Sequence, residues 1–271
     1  LAEGTATLRG ALDSEDTHVM IDSLARLGVV VEREDKGRTL VVHGVGGRIP
    51  VAKAELFCAN SGTTIRFLTA LATLGHGKYR LDGVARMRER PIADLIDALG
   101  QLGANLQSET DNGCPPVVVN AKGLPGGTAT VRGDISSQYL SGLLMAAAGA
   151  ERPVSLRIEG PLVSQPYVRM TLEVMRSFGV EVTTNDELSL FEIPAPAVYQ
   201  ARDYAIEPDA SAASYFWAAA AVTGGEVTVE GLSGRSLQGD VAFVECLEMM
   251  RCEIHFGADE VTVVGRDLHG V

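Results

Sequence analysis

Apolar positions along this chain fall into two helical patterns, separated by short β-branched runs. In the first pattern one stripe is apolar and the opposite face polar, as in a helix lying on a sheet. Asp16–Leu27, Ile92–Leu102, Tyr167–Phe178 and Asp240–Met250 show it. The first three end at Gly28, Gly103 and Gly179, where a helix stop needs left-handed backbone. Arg251 holds that place in the fourth. Each helix feeds a predicted strand: Val29–Glu32, Ala104–Gln107, Val180–Thr183 and Cys252–His255.

The second pattern is apolar all round, which predicts helices buried inside a domain. Thr63–Leu74, Ser137–Ala148 and Ala210–Val222 carry it, each after a small, polar start. A strand-then-glycine signal recurs at Gly10, Gly83, Gly160 and Gly231, at intervals of 73, 77 and 71 residues. Such self-similarity marks repeated supersecondary units. One unit reads as strand, helix, strand, strand, buried helix. The expected fold class is therefore α/β (α+β), pseudo-symmetric, with helices enclosed by sheets rather than a doubly wound sheet. Neither a dinucleotide-binding nor a P-loop glycine motif occurs.

Periodicity breaks at Pro194-Ala195-Pro196 and in the polar run before Tyr204. The predicted division is a first domain over residues 1–204 and part of a second over residues 205–271. Leu1–Gly10 reads as the end of a helix running into a strand, and Gly265–Val271 follows a strand pattern, so the chain is expected to be cut at both ends. The half-built repeat after Glu207 is expected to leave apolar surface bare.

The 271 residues carry a net charge of −12, which argues against nucleic acid as a partner. No apolar run is long enough to span a bilayer, so no membrane partner is expected. Cys58, Cys114, Cys246 and Cys252 form no C-x-x-C pair and have no histidine at ligand spacing. They are expected to be reduced, mostly buried thiols in a cytoplasmic protein. The five histidines are scattered, and no metal site is expected.

Against that acidic background two features favour an anion. Asn60-Ser61-Gly62-Thr63-Thr64-Ile65-Arg66 opens a helix with free N–H groups and the positive end of its dipole. Arg66 lies three residues after Thr63, on the same side. Arg86-Met87-Arg88-Glu89-Arg90-Pro91-Ile92 is a dense basic cluster. Asp134-Ile135-Ser136-Ser137-Gln138-Tyr139 opens a second buried helix with hydroxyls and an amide, groups that serve equally as a cap or as phosphate donors. Ser164 and Tyr167 stand where a loop meets a helix start, and Asp209 reads as a helix cap.

These segments, in this order and spacing, resemble the EPSP synthase family of enolpyruvyl transferases. The resemblance covers nearly the whole chain. It rests on Asn60–Leu68, Arg86–Ile92, Ser136–Tyr139, Ser164–Tyr167 and the run Asp209–Phe216. It implies an inside-out fold of βαβαββ-type repeats around buried parallel helices, with two domains of three repeats each, the first repeat here being incomplete. It implies transfer of the enolpyruvyl group of phosphoenolpyruvate to the 5-hydroxyl of shikimate 3-phosphate in the shikimate pathway, by a monomer when intact, with no cofactor. By the same resemblance Gly62, Arg86 and Gln138 would bind phosphoenolpyruvate. Ser136, Ser137, Gln138 and Ser164 would bind shikimate 3-phosphate. Asn60, Thr63, Arg66 and Tyr167 would support them. Gly62→Ala is expected to discriminate against larger inhibitors such as glyphosate.

The family's early Lys-Ser…Arg motif and its acid–base residues have no match here, so the catalytic residues are unassigned and this stretch alone is expected to be inactive. Two alternatives remain open. One is the sister family that transfers enolpyruvate to UDP-N-acetylglucosamine, whose reactive cysteine before the arginine loop has no counterpart in Tyr79–Ala85. The other is a non-catalytic anion-binding module of the same fold.

Overall fold

A computed structural model describes all residues, 1–271, as two compact units, Leu1–Tyr204 and Ala205–Val271. The first begins β1 (Thr5–Arg9), α1 (Glu15–Arg26), β2 (Val30–Glu34), β3 (Thr39–His43), β4 (Lys53–Phe57) and α2 (Gly62–Ala72). It continues with β5 (His76–Asp82), α3 (Ala93–Gln101), β6 (Leu106–Ser108), β7 (Val117–Lys122), β8 (Gly127–Arg132) and α4 (Ser137–Ala147). It closes with β9 (Val154–Glu159), α5 (Gln165–Ser177), β10 (Thr183–Thr184), β11 (Leu190–Ile193) and β12 (Asp203–Ala205), whose last residue opens the second unit. The second unit holds α6 (Ala210–Thr223), β13 (Glu226–Glu230), α7 (Phe243–Met249), β14 (Glu253–Phe256) and β15 (Glu260–Val264).

Residues 53–122 and 127–193 each run strand, helix, strand, helix, strand, strand. Their sheets have matching orders, β4-β5-β7-β6 and β8-β9-β11-β10. In each, the first two strands are parallel, Phe57 lying opposite Asp82 and Arg132 opposite Glu159. The helix between those strands is the buried one. The sheet around β1 has the same strand arrangement by a different route. Its order is β12-β1-β3-β2, so the outer strand comes from the far end of the unit, and no buried helix connects it to β1.

α2 and α4 run side by side in the same direction. Gln138 meets Thr63 at one end, Gly142 packs on Arg66 and Phe67, and Gly149 lies on Leu74 at the other. Both helices are lined by small and branched residues that sink into one core, among them Ile65, Leu68, Ala70, Leu140, Leu143 and Leu144. Buried hydroxyls on α2 are satisfied within the helix: Thr69 donates to the Ile65 carbonyl (2.7 Å) and Thr73 to that of Ala70 (2.6 Å).

The glycine stops after α1, α3 and α5 have φ of +84°, +90° and +87°, as the left-handed turn requires. Arg251 takes the same turn after α7 at +75°. Other expectations need correction. The first residues are not helical: Glu3 forms an isolated bridge and β1 follows. The strands after the amphipathic helices start one to three residues late, because the helix stop and its reversal take up the first positions. Of the four cysteines only Cys58 and Cys252 are buried, and Cys246 is exposed. α6 is not buried all round. Trp217 is enclosed and donates to the Val261 carbonyl (3.3 Å), while Tyr215, Phe216 and Val222 are exposed. The unit has one three-stranded sheet to cover this helix, so one face stays open.

Candidate functional site

The loops that follow the parallel strand pairs carry the singled-out residues, as the pairing dictates. β4 leads into Cys58–Ser61 and α2; β5 leads into Gly83–Arg90. The two loops interlock: Cys58 N–H donates to the Asp82 carbonyl (2.7 Å) and Val84 N–H to that of Ala59 (3.0 Å). β8 and β9 lead likewise into Gly133–Ser136 and Gly160–Ser164, tied by Val163 N–H to the Gly133 carbonyl (3.0 Å).

Ser61 caps α2, accepting from Thr64 N–H (3.3 Å) and donating to the Thr64 hydroxyl (2.8 Å). Ser136 caps α4 through Gln138 N–H (3.3 Å). With both caps at one end, the first turns of α2 and α4 meet, and Gln138 joins them. Its amide donates to Thr63 Oγ1 (3.0 Å) and its oxygen accepts from Arg66 Nη1. Arg66 also lies 5.0 Å from the ring centroid of Tyr139, a cation–π contact. Tyr139 in turn donates to the Pro91 carbonyl. Burial lowers the Arg66 pKa; Tyr139 opposes that shift and Arg90 adds to it. The guanidinium remains a cation at neutral pH. Burial raises the Tyr139 phenol, so it stays a neutral donor.

Gly62 is the first residue of α2. A Cβ there would lie 2.6 Å from Arg90 Nη2, and Arg90 Nη1 donates to the Asn60 carbonyl (3.2 Å). A guanidinium therefore occupies the space that glycine leaves over the start of the helix. The three arginines of the basic loop have three different settings. Arg86 is exposed and paired with Glu89 (2.6 Å). Arg88 grips Asp82 with Nε (2.9 Å) and Nη2 (2.7 Å). Arg90 lies against Gly62. Burial works to raise the Asp82 pKa, but Arg88, the Gly83 N–H and Arg80 outweigh it and hold the carboxyl below its ordinary range. Burial, with Asp82 nearby, raises the Cys58 thiol to about 12, so it is no nucleophile.

The structure thus brings together Asn60, Gly62, Thr63, Arg66 and Gln138. Ser136 and Ser137 lie in the same first turn of α4 as Gln138. Arg86 stands on the adjoining loop but bonds only Glu89. Ser164 is at the start of α5 with a left-handed φ of +55° and no capping bond from its side chain, and Tyr167 is exposed one turn on. No hydrogen bond links Ser164 directly to Gln138; the bond from Val163 N–H to the Gly133 carbonyl ties the loops that lead to them. Sequence reasoning gave no role to Arg90 or Asp82. The Gly62–Arg90 packing joins residues 28 positions apart and has no local signal. The Asp82–Arg88 pair sits at i, i+6, across a turn whose path only the fold determines. Asp209 accepts from Ala212 N–H (3.1 Å) and acts as a cap. No group of three or more His, Cys, Asp or Glu side chains is arranged to hold a metal ion. No helix is long and apolar enough to cross a membrane.

Comparison with known proteins meets this geometry over the full chain. The family model described as EPSP synthase (3-phosphoshikimate 1-carboxyvinyltransferase) matches residues 1–271. A 3-phosphoshikimate 1-carboxyvinyltransferase of Nostoc sp. is 45% identical over 272 residues, all of this chain and 64% of that protein. The chloroplastic one of Arabidopsis thaliana is 46% identical over 282 residues, all of this chain and 54% of that protein. A solved EPSP synthase from Acinetobacter baumannii superposes with a TM-score of 0.82 at 25% identity, covering all of this chain and 61% of that one. The chain spans less than two thirds of these relatives. With the family model matched from residue 1 to residue 271 and relatives 45–46% identical along the whole chain, this chain belongs to the EPSP synthase family.

Proposed function

We propose that this chain carries the shikimate 3-phosphate side of an enolpyruvyl transferase site. In the reaction the 5-hydroxyl of shikimate 3-phosphate adds to the enol carbon of phosphoenolpyruvate while the methylene carbon takes up a proton. The tetrahedral adduct then loses phosphate to give the enolpyruvyl ether. Residues 1–204 form the substrate-side domain in this reading, and residues 205–271 belong to a second domain. In this reading the protein acts as a monomer in the cytoplasm.

The observation that carries the reading is Gln138, whose amide ties Thr63 and Arg66 together where two helix N-termini meet. Two dipoles and a half-buried guanidinium favour anions at that point despite the chain's net negative charge. Ser136, Ser137, Gln138 and Ser164 take shikimate 3-phosphate. Gly62, Arg86 and Gln138 take phosphoenolpyruvate, Arg86 leaving Glu89 to form a forked pair with its carboxylate or phosphate. Asn60, Thr63, Arg66 and Tyr167 shape the walls.

Calorimetric titration with shikimate 3-phosphate, then with phosphoenolpyruvate, tests this. Ser137→Ala is expected to weaken the first ligand and Arg86→Ala the second, the latter by about 1.5–3 kcal/mol for a charge-assisted bond, roughly ten- to over a hundredfold. Failure of the native chain to bind either ligand, or displacement of both by UDP-N-acetylglucosamine, would refute the reading.

A further inference from the structure

We propose that Asp82 is a positioning residue that sets the course of the arginine loop through Arg88; the inference rests on the reading of Arg86 as an anion ligand. Asp82 closes β5 and is almost fully buried, at 8% exposure. Its two oxygens receive a complete set of donors: Gly83 N–H (2.8 Å), Arg80 Nη1 (3.2 Å), and Arg88 Nε and Nη2. Arg80 is itself fixed from behind by Glu109, with Nη2 at 2.6 Å. The carboxylate is therefore an anchored point, and Arg88 reaches back to it across the turn Gly83–Met87.

Met87 pins the same turn from the other side. It is fully buried, and a Cβ on Gly83 would meet it at 2.7 Å and the Ala59 carbonyl at 2.4 Å. With Arg88 held by Asp82 and Met87 held in the core, the 3-10 turn Met87–Glu89 has one orientation. That orientation sends Arg90 over Gly62 and leaves Arg86 at the surface of the loop. Arg88, although central in the basic cluster, serves as the loop's anchor and not as a ligand. The forked, twin-bond geometry at Arg88 specifies direction as well as attraction, which a single charge would not.

Three variants test the assignment: Asp82→Asn, Arg88→Met, and Arg88→Lys, which keeps a charge facing Asp82. Amide exchange is measured on the ligand-free chain, with the amides of α2 and α4 as the internal control. Asp82→Asn and Arg88→Met are expected to speed exchange at Val84–Arg90 by about tenfold or more while α2 and α4 are unchanged. The double variant should exceed neither single, since each acts through the other. In titrations with shikimate 3-phosphate bound, phosphoenolpyruvate affinity should fall about tenfold in both variants, with shikimate 3-phosphate alone changed less than about twofold. Arg88→Lys should recover only part of the affinity, because a point charge facing Asp82 attracts without fixing the direction of the loop.

Unchanged loop exchange overturns the proposal. So does a loosened loop that binds phosphoenolpyruvate as tightly as the native one. If the native chain binds neither ligand, the functional reading fails on its own, and the exchange data decide whether Asp82 holds the loop.

Discussion

At Gly62 the absence of a side chain has a physical use that a single distance expresses. A Cβ would stand 2.6 Å from the Arg90 guanidinium, closer than such atoms approach. Arg90 is the far end of a flexible side chain, so the fold can absorb Gly62→Ala by moving it. The expected outcome is a change in unfolding free energy within about 1 kcal/mol, because alanine is also the better helix former. Phosphoenolpyruvate should bind more weakly, and glyphosate more weakly still, in competition titrations; equal loss for both ligands would count against the crowding argument. Much at this scale was legible in the sequence. Asn60, Thr63, Arg66 and Gln138 were singled out, and the structure joins their segments through Thr63, Arg66 and Gln138 themselves. Arg90 and Asp82 were not, because their partners are fixed by the meeting of two loops rather than by spacing along one element.

Helix ends tell a similar story one level up. Three amphipathic helices stop at glycine, and the fourth makes the same left-handed turn with Arg251 at φ +75°. The turn is held by Arg251 N–H to the Glu248 carbonyl (2.9 Å) and Cys252 N–H to that of Leu247 (3.0 Å), so the backbone has no freedom to avoid it. A side chain in that conformation costs about 1–2 kcal/mol, partly offset by the flexibility glycine brings to the unfolded chain. Arg251→Gly should therefore stabilise residues 205–271 by about 0.5–1 kcal/mol, read as a higher urea midpoint for α7 amide protection; a lower midpoint would show that the arginine side chain contributes something its backbone conceals. Helix existence and helix stops were readable because glycine and periodicity are local signals. Strand limits were less so: β10 shrank to Thr183–Thr184 because pairing with β11, not propensity, decides where a ladder ends. The identity of the outer strand β12 was not readable at all, since three residues carry no pattern.

Over the whole molecule, the all-round apolar character of α6 misled where that of α2 and α4 did not. The pattern states what a helix is suited to, and the surroundings decide whether it is granted. α2 and α4 lie against each other within one core. In α6, Tyr215 is 78% and Phe216 61% exposed. An apolar face of that kind draws dyes and other chains. The native chain should bind an apolar fluorescent dye and sediment with a concentration-dependent mass, and Tyr215→Ser with Phe216→Ser should reduce both without loss of helix by circular dichroism. Dye binding unchanged in that double variant would place the sticky surface elsewhere.

The strand β12 has a consequence for how the molecule is made. β1 has β3 on one side and β12 on the other, with Thr7 N–H donating to the Arg202 carbonyl (3.2 Å) and Arg9 reaching Asp203 at 3.4 Å. Everything between them must leave the ribosome first. At roughly 5–20 residues per second, β1 waits on the order of ten seconds or more with a bare edge. During translation, that edge is where a nascent chain of this sequence most needs a chaperone.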